Sequence, residues 1–546
     1  MPMPQPPDSP QDAMAVHPPA AGKPDASSSP LAPLHNSTFR MLWATWLVAN
    51  VCMWMNDVAA AWLMTTLTSS PILVALVQTA STAPVFLLGL PSGALADILD
   101  RRRFLIVTQF WMAANAVLLC AAVLAGVMTA PLLLVLTFAN GIGLAMRWPV
   151  FSAIVPELVP RFQLPAALAL NGVSMNASRI IGPLVAGALI ASAGTHWVFV
   201  LNAVMSVLAG LVIMRWRREH VPSPLGREKL GSAIRVGVQF VRQSSRMRAL
   251  LVRISLFFLH ATALLALLPL VARGLHGGDA GTYTLLLASM GVGAIAVAMF
   301  LPRLRQSMTR DTLVLRATLV QAGATAVMAL APNAWVASPA MVVGGAAWLA
   351  AANTLSVSAQ LALPDWVRAR GMSIFQMAIM GSTALGAAIW GQVATLTSVH
   401  ISLGLAAFTG AVAMVVAQRV SVDLSIEEDM SPSNAFKAPI ADITPDAGHV
   451  VVTIHYRIDP ARAAEFDAVM QESKRSRLRQ GALQWQLHRD IGDASHYTEY
   501  IVDESWTEHL RRFDRVTASD VALRERKLAF HTGESPPEVT RWIVSR

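Results

Sequence analysis

A carboxylate and a guanidinium lie deep inside two long apolar stretches of this sequence. Asp57 follows about 16 residues of one stretch and Arg179 about 13 residues of another, so at the rise of an α-helix their depths differ by only about 5 Å. Charges in apolar surroundings are costly unless they are paired or wetted. We therefore expect Asp57 and Arg179 to contact each other, with Asp57 binding a proton and Arg179 competing for its charge. A static ion pair with a purely structural role is the alternative.

Several other polar side chains in the apolar stretches could line a cavity. Arg147 could contact a bound molecule or pair with Asp97. His260 is a candidate titrating group, although a lone histidine in an apolar helix is more often a hydrogen-bonded core residue. The remaining candidates could instead bond neighbouring helices; they are Asn56, Gln78, Asn171, Asn176, Gln376 and Trp390.

The elements that carry these residues are apolar runs long enough to cross a lipid bilayer. Of the 546 residues, 54% are hydrophobic and 14% are charged, and the mean hydropathy is +0.50. A spanning helix needs roughly 20 mostly apolar residues, because lipid offers no partner to an unpaired backbone amide. Twelve such runs are predicted at about residues 41–66, 72–95, 104–126, 131–155, 166–190, 196–215, 249–273, 281–301, 312–331, 336–362, 371–396 and 400–419.

The basic residues predict the orientation of the chain. The formal net charge is +9, and arginines and lysines are concentrated in the connections after the even-numbered runs. By the positive-inside rule these connections are cytoplasmic, which predicts a multi-pass protein of the inner membrane with both termini in the cytoplasm. Topology thus accounts for the positive charge, and no nucleic-acid partner is expected.

The longest connection, residues 216–248, divides the predicted helices into two bundles of six. The bundles comprise residues 39–215 and 249–420. Within the connection, Ile234 and Val238 have the apolar spacing of a helix.

Matched glycines suggest that the two bundles are repeats. Gly182 and Gly187 precede Gly386 and Gly391 by the same 204 residues. Parallel repeats of this kind form one design of membrane transporter, in which a substrate is held between the halves.

The two ends of the chain differ from its apolar centre. Residues 1–38 are rich in Pro, Ser and Ala and are predicted to be a disordered tail. Residues 421–447 are predicted to be a linker, because they contain several acids and prolines. Residues 448–546 predict the element order β-α-β-β-α-β of a ferredoxin-like α+β domain. The two cysteines, Cys52 and Cys120, lie in apolar runs and predict no disulfide.

The connection after the second run carries a glycine, an acid four residues later and a cluster of arginines. This pattern resembles the signature loop of the major facilitator superfamily, between its second and third helices. The resemblance implies a twelve-helix, 6+6 major facilitator fold and a conformational latch formed by Gly93, Asp97, Arg101 and Arg102. Asp100 stands where that family usually has glycine, and Ile98 stands where it has a basic residue, so the latch would be weaker or differently paired. A basic loop that only fixes topology is the alternative.

Further motifs are similar to a subfamily that includes the enterobactin exporter and transmembrane secretion effectors. They are Trp54-Met-Asn-Asp57, Trp62-Leu-Met, Pro156-Glu157-Leu-Val-Pro160-Arg161 and Glu504-Ser-Trp506-Thr-Glu508-His509, the last being similar to a domain fused to some members. Gly182, Pro183 and Gly187 also resemble the antiporter motif of the fifth helix.

This resemblance implies secondary-active, proton-coupled efflux by alternating access. The substrate would be a small organic molecule, such as a siderophore or a drug, and the other partners would be protons and the lipid bilayer. Import is the alternative, because residue spacing does not encode direction.

The C-terminal region raises a second class of function. Six of the thirteen histidines lie in it, and small domains of this fold resemble antibiotic-biosynthesis monooxygenases, so a fused enzyme or metal module is an alternative. The histidine spacings match no metal-ligand pattern, which favours a noncatalytic domain for regulation or self-association. The sequence has no P-loop for nucleotides. We therefore expect a transporter that is not an enzyme and that uses no cofactor, metal or direct ATP drive.

Overall fold

The computed structural model describes residues 31–98, 100–160, 163–216, 230–420, 429, 431, 433, 435, 439 and 448–544. Within these ranges, twelve helices are long and apolar enough to cross a membrane, and each overlaps one of the predicted runs. The first six are α1 (Ser37–Leu67), α2 (Pro71–Ile98), α3 (Arg101–Leu124), α4 (Ala130–Leu158), α5 (Leu164–Ala193) and α6 (Thr195–Arg215). The short helix α7 (Leu230–Gln243) is followed by α8 (Ser245–Gly274), α9 (Ala280–Ser307), α10 (Arg310–Leu330), α11 (Ala334–Leu361), α12 (Asp365–Leu396) and α13 (Val399–Val420).

Capping side chains set where several helices begin. The Asn36 side chain accepts hydrogen bonds from the amides of Thr38 (2.9 Å) and Phe39 (3.1 Å), so α1 begins inside the segment predicted to be a tail. Most of that segment, residues 1–30, lies outside the described residues. Asp100 caps α3 by accepting a hydrogen bond from the amide of Arg103 (2.8 Å). An acid at this position therefore starts the third helix, where the signature loop that this segment resembles usually has glycine.

The spanning helices form two halves, α1–α6 and α8–α13. Helix α1 packs on α5 and α6 in the first half, and α8 packs on α12 and α13 in the second. Between the halves, α2 packs along α12 and α5 packs against α9. We call the side on which α1 begins and α13 ends the terminal side, and the opposite side the far side.

The matched glycines occupy equivalent places in the two halves. A Cβ on Gly182 would lie 2.5 Å from Cβ of Trp54 on α1, and one on Gly386 would overlap Leu259 on α8. Within each half, these glycines allow the fifth helix to approach the first. Gly187 touches Thr284 on α9, and Gly391 lies against Ala75 on α2, so both second glycines allow close contact between the halves.

Charged side chains join helix ends on the terminal side. Arg253 of α8, whose side chain is fully buried, binds Asp311 of α10 at 2.5 Å. In the first half, the Arg102 guanidinium donates hydrogen bonds to the carbonyls of Met214 (2.7 Å) and Trp216 at the end of α6. A charged side chain thus satisfies carbonyls that the end of a helix leaves without intrahelical partners.

The outer surface of the helices is apolar. Large hydrophobic side chains are exposed on both halves, among them Val107 on α3, Phe300 on α9 and Phe408 on α13. Apolar surface of this extent is expected where the solvent is lipid.

The C-terminal domain has the predicted ferredoxin-like topology. Its elements are β1 (Val450–Arg457), α14 (Ala463–Arg479), β2 (Gln484–Arg489), β3 (His496–Asp503), α15 (Trp506–Asp514), α16 (Ala518–Leu528) and β4 (Glu538–Ile543). The strands form one antiparallel sheet in the order β2-β3-β1-β4. Helix α16 was not predicted, because it has no apolar stripe and its buried residues are Leu523 and Lys527.

The C-terminal domain contacts the membrane part through α7. Arg235 of α7 binds Glu504 at 2.6 Å, and Gln239 donates a hydrogen bond to the carbonyl of Ala482 (2.7 Å). The predicted helical spacing in the central connection is confirmed by α7, while residues 217–229 lie outside the described ranges. Of the predicted linker, the described residues Asp429 and Ser431 accept hydrogen bonds from the segment that starts α16.

Candidate functional site

A cavity of about 560 Å³ lies between the halves of the membrane part. Helices α1, α2 and α5 line it from the first half, and α8, α9 and α11 line it from the second. Most of the lining is apolar. Its polar and aromatic residues are Trp54, Asp57, Gln78, Ser81, Arg179, Tyr283, Trp348 and Asn353.

Asp57 is the carboxylate of this cavity. No other described lining residue is acidic. Oδ1 of Asp57 accepts a hydrogen bond from the hydroxyl of Ser81 on α2 (3.2 Å). Gln78, one turn before Ser81, also lines the cavity. Helix α2 therefore presents a polar face to Asp57 within surroundings that are otherwise apolar.

Arg179 lies between two indole rings. Its guanidinium carbon is 5.4 Å from the ring centroid of Trp54 on α1 and 4.7 Å from that of Trp348 on α11. Each contact has the geometry of a cation–π interaction. Because Trp54 and Trp348 belong to different halves, one cation joins the two halves across the cavity.

The predicted direct contact between Asp57 and Arg179 is wrong for this conformation. Both side chains are described, and no ion pair within 4.0 Å joins them. Similar depth along two helices does not fix the direction in which each side chain points around its helix. Both residues line one cavity. Within it, Asp57 is hydrogen-bonded to Ser81, whereas Arg179 contacts the two indole rings.

The far side of the cavity is closed by contacts between the halves. Trp62 of α1 stacks on Tyr283 of α9, with ring centroids 5.6 Å apart. Arg273 of α8 lies over the Trp62 ring at 5.3 Å and donates a hydrogen bond to the carbonyl of Thr65. From Tyr283 the lining continues along α9 to Leu301, towards the terminal side. The cavity is therefore sealed on the far side and extends towards the terminal side.

One polar bond joins two cavity helices near the terminal side. Arg305, at the end of α9, donates a hydrogen bond to Oδ1 of Asn353 on α11 (2.6 Å), and Asn353 lines the cavity.

Several predicted candidates lie outside the cavity. Asn56 accepts a hydrogen bond from Asn202 of α6 (3.2 Å), and Trp390 donates one to the carbonyl of Leu259 (2.8 Å). His260 bonds the carbonyl of Leu256 at 2.7 Å within its own helix. These three residues therefore form hydrogen bonds between or within helices, which was the alternative to lining a cavity.

Arg147 is fully buried between helices of the first half and does not reach the cavity. Its guanidinium lies 4.9 Å from the Trp46 ring centroid and 3.5 Å from Oδ1 of Asn50. Asn171 and Gln376 are not among the cavity lining, and the side chain of Asn176 lies outside the described residues.

The latch residues can be placed only in part. Gly93 and Asp97 fall in the last turns of α2, and Arg101 begins α3, but their side chains lie outside the described residues. Arg102 is described, and it bonds the end of α6 as given above. The role of Asp97 in a latch, and the residue with which it pairs, therefore stay predictions.

The antiporter-like residues of α5 pack against both halves. Gly182 faces Trp54 of the first half, and Gly187 faces Thr284 of the second half. Pro183 lines the cavity between the halves.

Five of the polar and aromatic lining residues, Trp54 among them, were not predicted to line a cavity. Ser81 could have been found, because it lies three residues after Gln78 and therefore on the same face of α2. Tyr283, Trp348 and Asn353 come from the second half, where their apolar neighbours resemble ordinary helix packing.

The C-terminal domain contains a second set of buried charges. Glu499, on the central strand β3, is fully buried and accepts hydrogen bonds from Trp485 (2.8 Å), Ser473 (3.0 Å), Tyr456 (3.0 Å) and Lys527 (3.2 Å). Burial alone would raise the pKa of Glu499, but the charges of Lys527 and Arg477 outweigh it and hold this pKa well below its usual range. Burial lowers the pKa of Lys527 to about 8, against the opposing charge of Glu499.

We expect Glu499→Gln to destabilise the C-terminal domain by about 3–5 kcal/mol, because Lys527 is then buried without its counter-charge. The pKa of Glu499 is lower in the folded than in the unfolded chain, so its stabilisation is present above about pH 4.5 and is lost as the pH falls below that value. Pulse proteolysis of the full chain in urea, repeated between pH 7 and pH 3, measures both effects.

The exposed acid Glu534 provides the matched control, and Glu534→Gln should leave the urea midpoint unchanged. Equal midpoints for Glu499→Gln and the wild type at pH 7 would contradict a stabilising role of the buried charge network.

Two six-helix halves around a central cavity that is closed on one side form the fold of the major facilitator superfamily of membrane transporters. Solved structures have the same fold. A POT family transporter in complex with 5-aminolevulinic acid matches with a TM-score of 0.58 and 13% identity, over 71% of this chain and 97% of that one. A bacterial homolog of the human lysosomal transporter Spinster, inward-facing, matches with a TM-score of 0.55 and 15% identity, over 71% and 96%.

Within that superfamily, the chain belongs to the transmembrane secretion effector family, whose profile matches residues 28–546. The staphyloferrin A transporter of Staphylococcus aureus (strain NCTC 8325 / PS 47) is 22% identical over 255 residues, which are 46% of this chain and 63% of that protein. Macrolide efflux protein A of Streptococcus pyogenes is 25% identical over 250 residues, 44% of this chain and 60% of that protein. The chain thus spans less than two thirds of the length of these relatives.

Proposed function

We propose that this protein exports a small organic molecule in exchange for protons, by alternating access of the central cavity to the two sides of the inner membrane. The observation that carries this proposal is Asp57, the one carboxylate among the described lining residues, in a cavity between two halves that close on the far side. An acid in such surroundings can lose and regain a proton as the cavity is wetted from either side.

The relatives support a small organic cargo. One is named a staphyloferrin A transporter and the other a macrolide efflux protein, so siderophore-like and drug-like molecules are the classes to test first. The cavity is large enough for such molecules, since ligand pockets commonly measure about 300–1,000 Å³.

Both termini, and with them the C-terminal domain, are proposed to be cytoplasmic, as the positive-inside rule predicts. In that orientation the cavity extends towards the cytoplasm, where an exporter collects its cargo. Labelling of Ile491→Cys, a fully exposed position in the C-terminal domain, by an impermeant maleimide in intact cells would contradict this orientation.

The proposed function is tested in inside-out membrane vesicles that maintain an acidic lumen. We expect a transported compound to release protons from the lumen, seen as recovery of acridine fluorescence, and to accumulate inside. Extracts of culture fluid, a macrolide and a carboxylate siderophore are suitable first compounds. A compound that accumulates only when the gradient is reversed would show import, and accumulation without proton release would exclude antiport.

A further inference from the structure

The outward surface of α10 begins with an arginine. Arg316 is exposed, and the exposed side chains of Leu319, Val320 and Val327 follow it at the spacing of one helix face. Arg316 is also six residues beyond the start of α10, which is about 9 Å of helix rise. It therefore lies more than one turn inside a span whose outward solvent is lipid.

The outward surface of α13 ends with a second arginine. Val416 is exposed on this surface, and the exposed Arg419 follows it by three residues on the same face. Helices α10 and α13 pack against each other and both pack on α8, so their outward surfaces adjoin. Gln418 donates a hydrogen bond to the carbonyl of Asp311 (2.5 Å), which holds the end of α13 level with the first turn of α10. The two arginines therefore lie on one surface and within about 10 Å of each other in depth.

Neither of these guanidinium groups has a partner in the described part of the chain. No hydrogen bond, ion pair or ring contact joins Arg316 or Arg419 to a described residue. Asp311, the acid in the first turn of α10, binds Arg253 of α8 at 2.5 Å. A cation beside lipid is costly unless its head reaches water or an anion. Two such cations on one surface favour an anionic ligand that approaches from the bilayer.

The equivalent helices of the first half provide a comparison. Arg103 is exposed in the first turn of α3, and Arg215 is exposed at the end of α6. Both lie in terminal turns, where an arginine reaches water and fixes topology. Arg316 is about 6 Å further from the start of its helix than Arg103 is from the start of α3. Depth thus distinguishes the pair on α10 and α13 from basic residues that only fix topology.

We propose that Arg316 and Arg419 bind the phosphate of an anionic phospholipid in the leaflet on the terminal side, and that this lipid joins α10 to α13. The acyl chains lie along the apolar outward surfaces of the two helices, and the headgroup supplies the negative charge. A zwitterionic phospholipid fits less well, because its own cation would face the same two guanidinium groups. The proposal does not rest on proton-coupled export, because lipid binding requires no transport.

The test is native mass spectrometry of the full chain in detergent, titrated with palmitoyl-oleoyl phosphatidylglycerol. Both arginines are exposed, so the double variant Arg316→Gln/Arg419→Gln should fold. We expect it to bind the first lipid about tenfold more weakly than the wild type, because two charged contacts are lost. Phosphatidylcholine with the same acyl chains should also bind the wild type about tenfold more weakly. Glycerol phosphate, the soluble headgroup, should bind more weakly still, since it lacks the chains that contact the apolar surfaces.

The matched control is Arg103→Gln/Arg215→Gln, which removes the same charge from the equivalent helices on the same side of the membrane. It should bind the first phosphatidylglycerol as the wild type does. An equal loss of affinity in this control would show a general attraction by basic residues and would overturn the proposal. An unaltered affinity of Arg316→Gln/Arg419→Gln, or equal affinities for the two phospholipids, would also overturn it. Glycerol phosphate that binds as tightly as the lipid would show a site for free phosphate instead.

Discussion

Replacing Asp57 by asparagine is expected to reduce proton-coupled transport at least about tenfold while leaving the helical bundle folded. Asparagine has nearly the same shape and can still accept the hydrogen bond that Ser81 donates to Asp57. It cannot bind or release a proton. The change therefore removes the titrating group and retains the local structure.

Transport by the Asp57→Asn variant is measured in the inside-out vesicles as proton release for each compound added. Substrate binding, measured separately in detergent, should persist. Ser81→Ala is the companion variant: it removes the bond to Asp57 but keeps the carboxylate, so proton coupling should be weakened and not lost. Undiminished proton release by Asp57→Asn would show that Asp57 has only a structural role.

Replacing Gly187 by alanine is expected to have the second large effect. A Cβ at this position would overlap the side chain of Thr284, and α5 and α9 belong to different halves. The packed helices can accommodate the methyl group only by moving apart on the far side. The closed state on that side would become less populated, and transport would fall at least about tenfold.

Spin labels at Val127→Cys and Leu396→Cys, exposed residues near the far-side ends of the two halves, report the separation. We expect a longer distance in Gly187→Ala. Gly172→Ala, on the same helix, is the matched control, because a Cβ there meets nothing within 4 Å. The reciprocal variant Gly187→Ala/Thr284→Gly should recover closure. An unchanged distance in Gly187→Ala, or no recovery in the double variant, would refute steric control at this contact.

Much of the fold could be predicted because it depends on periodicity and length. Lipid as a solvent requires long apolar helices, and all twelve runs correspond to helices. The alternating pattern of the C-terminal domain predicted its strands, and the spacing of Ile234 and Val238 predicted the helix α7. Helix α16 escaped prediction because Lys527 points into the domain, where Glu499 neutralises it. Sequence patterns treat such a lysine as a surface residue.

The site was less predictable, because depth along a helix leaves rotation undetermined. The sequence predicts that Asp57 and Arg179 lie deep within the helices, and both line the cavity. Their direct contact was wrong, because the indoles of Trp54 and Trp348 hold the guanidinium. Trp348 lies in the second half, about 170 residues away, and no local pattern connects such distant positions.

The position of Arg179 between two indoles has a quantitative consequence for the equilibrium between conformers. The halves cannot rotate apart at this level unless the guanidinium leaves one of the rings. A shielded contact of this kind contributes on the order of 1–2 kcal/mol. This single side chain therefore changes the ratio of the joined conformer to the separated conformer by roughly a factor of ten. Cargo that inserts beside either ring would change the same ratio.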